Sequence, residues 1–219
     1  MNGMWSAKMG FAFDAPGDGA LGLGAPVQRT GTGWASPQCA DLHRDMDTLM
    51  QDSRADYTIF WRQLSEVAAL FLDSPSVGHP GMSDDALTAP LLEAFYPPPS
   101  AAGANAGAVS ANLSPEHRAE WAALLRRWLS LHQSMPGQPQ QGTALSVSKR
   151  MKLVNPKFVP REWMLVAAYG KANAGDYSGV SELQSLFSDP YSEGDAHSIH
   201  NFYRKAPVEA ASTGGTGEY

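Results

Sequence analysis

The 219-residue chain has one cysteine, Cys39, so it cannot form an internal disulfide and is not a disulfide-stapled secreted scaffold. It has no run of about 18 apolar residues, which excludes a hydrophobic helix of membrane-spanning length. Lysine is absent between Lys8 and Lys149. The first residues, MNGMWSAKMGFAFDAPGDG, lack a basic region followed by an apolar core, so no secretory signal is expected there. A net charge of −6 argues against a general nucleic-acid binder. No run of β-branched alternation bounded by hairpin turns occurs, and no internal repeat is evident.

Glycine and proline are abundant, 21 and 16 residues, which points to long irregular connections. Hydrophobic residues make up 43% of the chain, enough for a sizeable core. The expected class is all-α: an irregular helical region with long Gly/Pro/Ala-rich loops.

Residues 1–36 read as a loop-rich segment. Residues 37–72 read as a helical pair. Its first helix carries Leu42, Met46, Leu49 and Met50 at helical spacing after Ser36-Pro37. Its second runs from about Arg54 to Leu72 with a stripe of Tyr57, Phe60, Trp61, Leu64, Val67, Ala68 and Phe71. Residues 73–113 form a Pro/Ala/Gly-rich insertion, in which Ser83-Asp84-Asp85 could open a short helix interrupted by Pro90. Residues 114–135 give the strongest amphipathic pattern, with Trp121, Leu124, Leu125, Trp128 and Leu129. In the block 144–191, Pro160 is placed to start a helix that buries Trp163, Val166, Ala167 and Tyr169 or Gly170. Gly175 closes it and Asp176 caps the next, which carries Val180, Leu183, Leu186 and Phe187. The tail, 192–219, is read as disordered.

Few side chains suggest chemistry. Gly17, Gly19 and Gly22 match the spacing of a nucleotide loop, but no strand precedes them and no lysine strand follows. His197 and His200, with Glu193 and Asp195 nearby, resemble a partial metal-ligand set in a stretch without a helical period. Cys39 has His43 one turn away, yet a small buried helix residue is the simpler reading. Lys149, Arg150, Lys152, Lys157 and Arg161 place five positive charges within 13 residues. They could meet a phosphate-bearing partner or pair with acidic surface elsewhere. The pairs Asp84, Asp85 and Asp45, Asp47 read as helix-start or solvated carboxylates. No catalytic, cofactor-binding or metal-binding residue is assigned from the residues alone.

Several blocks do carry a resemblance. Asn155-Pro156-Lys157-Phe158-Val159-Pro160-Arg161 is followed by Ala172, Gly175-Asp176-Tyr177, Leu183, Leu186 and Asp189-Pro190-Tyr191. Earlier stand Trp5-Ser6-Ala7-Lys8-Met9-Gly10, Leu49-Met50, Ala55-Asp56-Tyr57-Thr58 and Trp61-Arg62-Gln63-Leu64. In order and approximate spacing they resemble the C-terminal region of the selenoprotein O family, also called YdiU. Glu162 stands where that family usually has Asn, Trp61 where it has Phe, and the closing Cys- or selenocysteine-Ser-Ser is replaced by Gly-Glu-Tyr. The resemblance implies a region that packs on a kinase-like core of the same protein. Such proteins use ATP and magnesium to transfer AMP to Ser, Thr or Tyr of protein substrates. Their glycine-rich loop, ATP-contacting lysine and metal-binding residues precede the region resembled here, so Gly17, Gly19 and Gly22 are not that loop. The chain by itself is expected to be inactive, to hold no cofactor, and to meet neither nucleic acid nor membrane. A eukaryotic source would imply mitochondria and a bacterial one the cytoplasm. The other expectation is a stand-alone helical interaction module acting through the Lys149–Arg161 basic face.

Overall fold

A computed structural model describes residues 5, 7–11, 37–74, 82–97, 112–134 and 145–206. Gly17, Gly19 and Gly22 lie outside them. Among the described residues the fold is all-α, and the only β pairing is an isolated bridge between Ala55 and Phe95. The helices are α1 (Pro37–Asp52), α2 (Tyr57–Phe71), α3 (Asp84–Thr88), a 3-10 turn (Ala89–Ala94), α4 (Pro115–Ser134), α5 (Val147–Val154), α6 (Glu162–Asn173), α7 (Ser178–Ser188) and α8 (Ala196–Phe202). None is long and apolar enough to cross a membrane.

The apolar pattern sets the main core. Helix α2 lies at its centre, against the 3-10 turn and α5, while α1 packs on α4. Leu42, Met46, Leu49 and Met50 of α1 are buried, as are Trp121, Leu125, Trp128 and Leu129 of α4. The two buried indoles keep their N–H groups bonded: Trp121 Nε1 donates to Ser53 Oγ at 3.0 Å, and Trp128 Nε1 to the Met9 carbonyl at 2.9 Å. Met9 and Phe11 are themselves buried, so the N-terminal segment is part of the core. Gly10 makes that entry possible. Its φ is +79°, and a Cβ there would lie 2.6 Å from Val147 Cγ1.

Three local readings need correction. Helix α2 begins at Tyr57, not Arg54. Arg54 takes a left-handed φ of 57°, and Asp56 caps the helix by accepting from Ile59 N at 3.0 Å. The intervening backbone is held by the 3-10 segment: Asp56 N donates to Ala94 O and Tyr96 N to Arg54 O. Helix α6 starts at Glu162 after Arg161, and it buries Met164 and Ala168. The expected Val166 and Tyr169 are 61% and 59% exposed. This helix is apolar nearly all round, so its pattern selects no face. Contact does: Gly179 of α7 sits on Ala168, where a Cβ would lie 3.5 Å from Ala168 Cα.

The stretch after residue 192 also contains α8, capped by Asp195, which accepts from Ser198 N at 2.7 Å. Tyr203 then packs on the main core, and Lys205 donates to the Phe95 carbonyl. Helices α6 and α7 share a small second core of Met164, Ala168 and Leu183, flanked by Trp163, Leu165, Leu186, Phe187 and α8's Phe202. The Asp176 carboxylate accepts from Ser178 N at 2.9 Å, although Tyr177 occupies the cap position of α7.

Candidate functional site

Residues from several of the sequence blocks that carry the resemblance meet at α2 and its N-cap. Asp56, 6% exposed, receives both arms of the Arg161 guanidinium, Nη1 at 2.5 Å and Nη2 at 2.8 Å. The bidentate geometry suits a planar guanidinium on a carboxylate. Despite burial, hydrogen bonding and charge from Asp56 raise the Arg161 pKa above its ordinary value.

Six residues further on, in α2, Arg62 is 3% exposed and bridges three chain segments. It donates to the carbonyls of Lys152 (3.0 Å), Asn155 (2.9 Å) and Tyr191 (3.2 Å), and to Glu193 Oε1 (2.9 Å). Asn155 donates its amide to the Lys8 carbonyl at 3.1 Å, tying the N-terminal block to the same point. The backbone N–H groups of Lys157 and Phe158 both donate to the Pro190 carbonyl, at 2.8 and 3.1 Å. Apart from the Asp56–Arg161 pair, a separate one at the start of the same helix, Lys8, Arg62, Asn155 and Tyr191 therefore belong to one bonded junction.

Glu193 completes it. Burial alone would raise its carboxyl, but Lys152, Arg62 and Lys157 bring it down to about 2. Lys152 also meets Glu66 at 2.8 Å. A cavity of about 320 Å³ over this network is lined by Arg62, Gln63, Glu66, Lys157, Glu193 and Tyr203, so its charges are already opposed.

The basic cluster is thus spent mostly inside the chain. Lys152 and Lys157 pair with Glu193, Arg161 with Asp56, and Arg150 donates to the carbonyls of Leu145 and Gly10. An open basic face at Lys149–Arg161 is not what these residues form. Of the suggested metal set, His197 meets Glu182 at 2.7 Å, Glu193 serves the junction and Asp195 caps α8. The His197–His200 stretch is helical, contrary to the sequence reading, but no cluster of three metal-ligating side chains occurs among the described residues. Cys39 is fully buried in the core. Arg118 engages Asp85, Arg126 engages Asp84, and Arg127 engages Asp45.

A second cleft, of about 230 Å³, is lined by Lys8, Tyr57, Thr58, Trp61, Asn155, Pro156 and Val159. The Lys8 ammonium stands 5.2 Å from the Tyr57 ring centre and 5.7 Å from that of Trp5. Burial lowers the Lys8 pKa. Burial and the charge of Asp47 push the Tyr57 hydroxyl up to about 12, against the opposing influence of the Trp61 indole, so it stays protonated. Composition and spacing did not signal this cleft. Lys8 is more than 45 residues from the helix it meets.

No protein-family model matches the chain. Curated proteins named protein nucleotidyltransferase YdiU do. That of Myxococcus xanthus is 29% identical over 153 residues, covering 70% of this chain and 24% of that protein. That of Aromatoleum aromaticum is 31% identical over 154 residues, 70% of this chain and 23% of the relative. That of Vibrio vulnificus is 27% identical over 154 residues, 70% and 24% respectively. The chain spans about a quarter of the length of these curated relatives.

Proposed function

We propose, from the premise that the chain belongs over about 70% of its length to the YdiU family, that it is a helical, non-catalytic portion of a protein adenylyltransferase. Its role is structural. It packs on a kinase-like core and shapes access for ATP or for the protein whose Ser, Thr or Tyr hydroxyl receives AMP.

One observation carries the reading. Most charged side chains of the blocks that resemble the family are satisfied within the chain: Asp56 by Arg161, Arg62 by Glu193 and three carbonyls, and Lys157 by Glu193. Nucleotidyl transfer needs metal ions and groups positioned on the phosphates. The described residues gather no such metal-ligand set, so no step of the reaction is assigned to them. ATP and magnesium belong, in this reading, to the core.

Titration calorimetry of the 219-residue chain with ATP and magnesium chloride tests the first half. No heat of binding is expected, and tight magnesium-dependent binding of ATP would overturn it. Sequencing the transcript across Met1 tests the second half. An in-frame upstream extension with a glycine-rich loop and a lysine is expected. A genuine start at Met1 would favour a stand-alone helical interaction module instead.

A further inference from the structure

Among the described residues the apolar interior falls into two separate clusters. The main core is shared by α1, α2, α4 and α5 and includes Leu42, Phe60, Trp61, Trp121, Trp128 and Met151. The second gathers Met164, Ala168 and Leu183 between α6 and α7, with Phe202 of α8 at its edge. Helices α6 and α7 pack closely only on each other. A chain of roughly 40 residues is at the lower limit for folding on a hydrophobic core of its own. Residues 162–202, the span of α6 to α8, are that short and have three side chains at the centre of their core. Their shape therefore depends on attachment to the rest of the fold.

The attachment is mostly polar. At the start of α6, Arg161 reaches Asp56. Between α7 and α8, the Tyr191 carbonyl and the Glu193 carboxylate both accept from Arg62, and Glu193 also meets Lys152 at 3.0 Å. After α8, Lys205 donates to the Phe95 carbonyl. The apolar part of the seam is Tyr203, packed on the main core, with Phe158 edge-on to it at 6.5 Å between ring centres. Opposed charges each lose their water on docking, so a polar seam contributes less net stability than well-packed apolar surface of similar volume. Opening this one strands no charge. Asp56 and Arg161 both regain water, and Arg62 Nη1 keeps its bonds to the Lys152 and Asn155 carbonyls.

We propose that α6, α7 and α8 form one cooperative unit that detaches and unfolds from an intact main core, with Arg161–Asp56 and Arg62–Glu193 as its latch. Such partial opening lies below global unfolding in free energy. The opened state uncovers the N-cap of α2 and the otherwise buried Arg62. The proposal does not rest on the adenylyltransferase reading.

Native-state hydrogen exchange of the 219-residue chain tests it, followed by mass spectrometry at neutral pH with urea raised toward the unfolding transition. Amides of α6 and α7 should share one level of protection, at least tenfold below that of α1 and α4. Their urea dependence should be shallower, because less surface is exposed. Two variants separate a unit from a single cooperative fold. Leu42→Val weakens the main core alone, so it should speed exchange in α1 and α4 at least threefold and leave α6 and α7 unchanged. Arg161→Met destabilises the docked state and should speed exchange in α6 and α7 at least tenfold. One urea dependence shared by all helices, or an equal effect of Leu42→Val on α1, α4, α6 and α7, would overturn the unit. Unchanged exchange of α6 and α7 in Arg161→Met would overturn the latch. If Arg161→Met fails to fold, Glu193→Gln takes its place: at least a threefold acceleration in α6 and α7 is expected, and no acceleration overturns the latch.

Discussion

Asp56 holds three connections at once: the cap of α2, the guanidinium of Arg161 and, at 3.4 Å, the Tyr96 hydroxyl. Breaking a buried ion pair by removing one partner leaves the other charge desolvated, which costs about 3–5 kcal/mol. Arg161→Ala is expected to destabilise the chain by that amount, read from urea unfolding. Replacing both Asp56 and Arg161 should cost less than the two single losses added together, because neither charge is then stranded. A purely additive cycle would mean that the pair is not coupled. Gly10 makes a different kind of demand. Its φ is +79°, and an added Cβ would stand 2.6 Å from Val147 Cγ1, so Gly10→Ala meets both backbone strain and a clash. Overpacking and strain of this kind cost about 1–3 kcal/mol. An unchanged urea midpoint for Gly10→Ala would show that the N-terminal segment does not dock as described.

At the scale of elements, the periodic segments were readable and the long-range ones were not. Every residue expected on the inner face of α1 is buried, and α4 follows its spacing from Trp121 to Leu129. In both, polar residues alternate with apolar ones at helical period, so burial has only one solution. Helix α6 offers no such contrast. EWMLVAAYGKAN is apolar nearly all round, and the face it buries is decided by Gly179 and Leu183 of α7. The start of α2 is not legible in the sequence because a left-handed Arg54 leaves no local mark; its conformation follows from pairing with the segment around Phe95. Likewise the junction joins residues up to 147 positions apart, as Lys8 and Asn155 are, and no periodicity could pair them. Of its members, Lys8, Arg62, Asn155 and Tyr191 stand in the motifs of the family resemblance, as motifs without contacts, whereas Lys152 and Glu193 do not. The corrected register of α6 is testable. Met164→Ala should cost about 2–5 kcal/mol as a core truncation, whereas Val166→Ala should stay within about 0.5 kcal/mol. The reverse order in thermal or urea unfolding would restore the face expected from the sequence.

For the whole molecule, the attachment of the N-terminal segment makes stability depend on pH. His132 stacks on Phe11 with ring centres 4.2 Å apart, and its Nε2–H donates to the Met9 carbonyl at 2.9 Å. Burial, the main cause, lowers its pKa from 6.5 to about 4. The Met9 carbonyl and Asp73 oppose this, while Arg150 adds to it. The unfolded chain therefore takes up a proton on His132 at a pH where the folded chain does not. Stability is full above pH 6.5, falls as pH drops from there, and levels off below about 4. The interval corresponds to a loss of about 3 kcal/mol at 1.36 kcal/mol per unit. Glu193 acts in a separate window. Its folded value of about 2 lies below the usual 4.5, so its contribution is present above pH 4.5 and disappears toward pH 2. That side chain is 58% exposed, and solvent screening keeps its share small. Urea midpoints at pH 7, 5.5 and 4 should thus fall steadily in the parent chain, and His132→Gln should flatten that slope. If the slope persists in His132→Gln, the acid sensitivity has its source elsewhere. If the parent shows no slope at all, His132 is not held neutral against Met9 and Phe11.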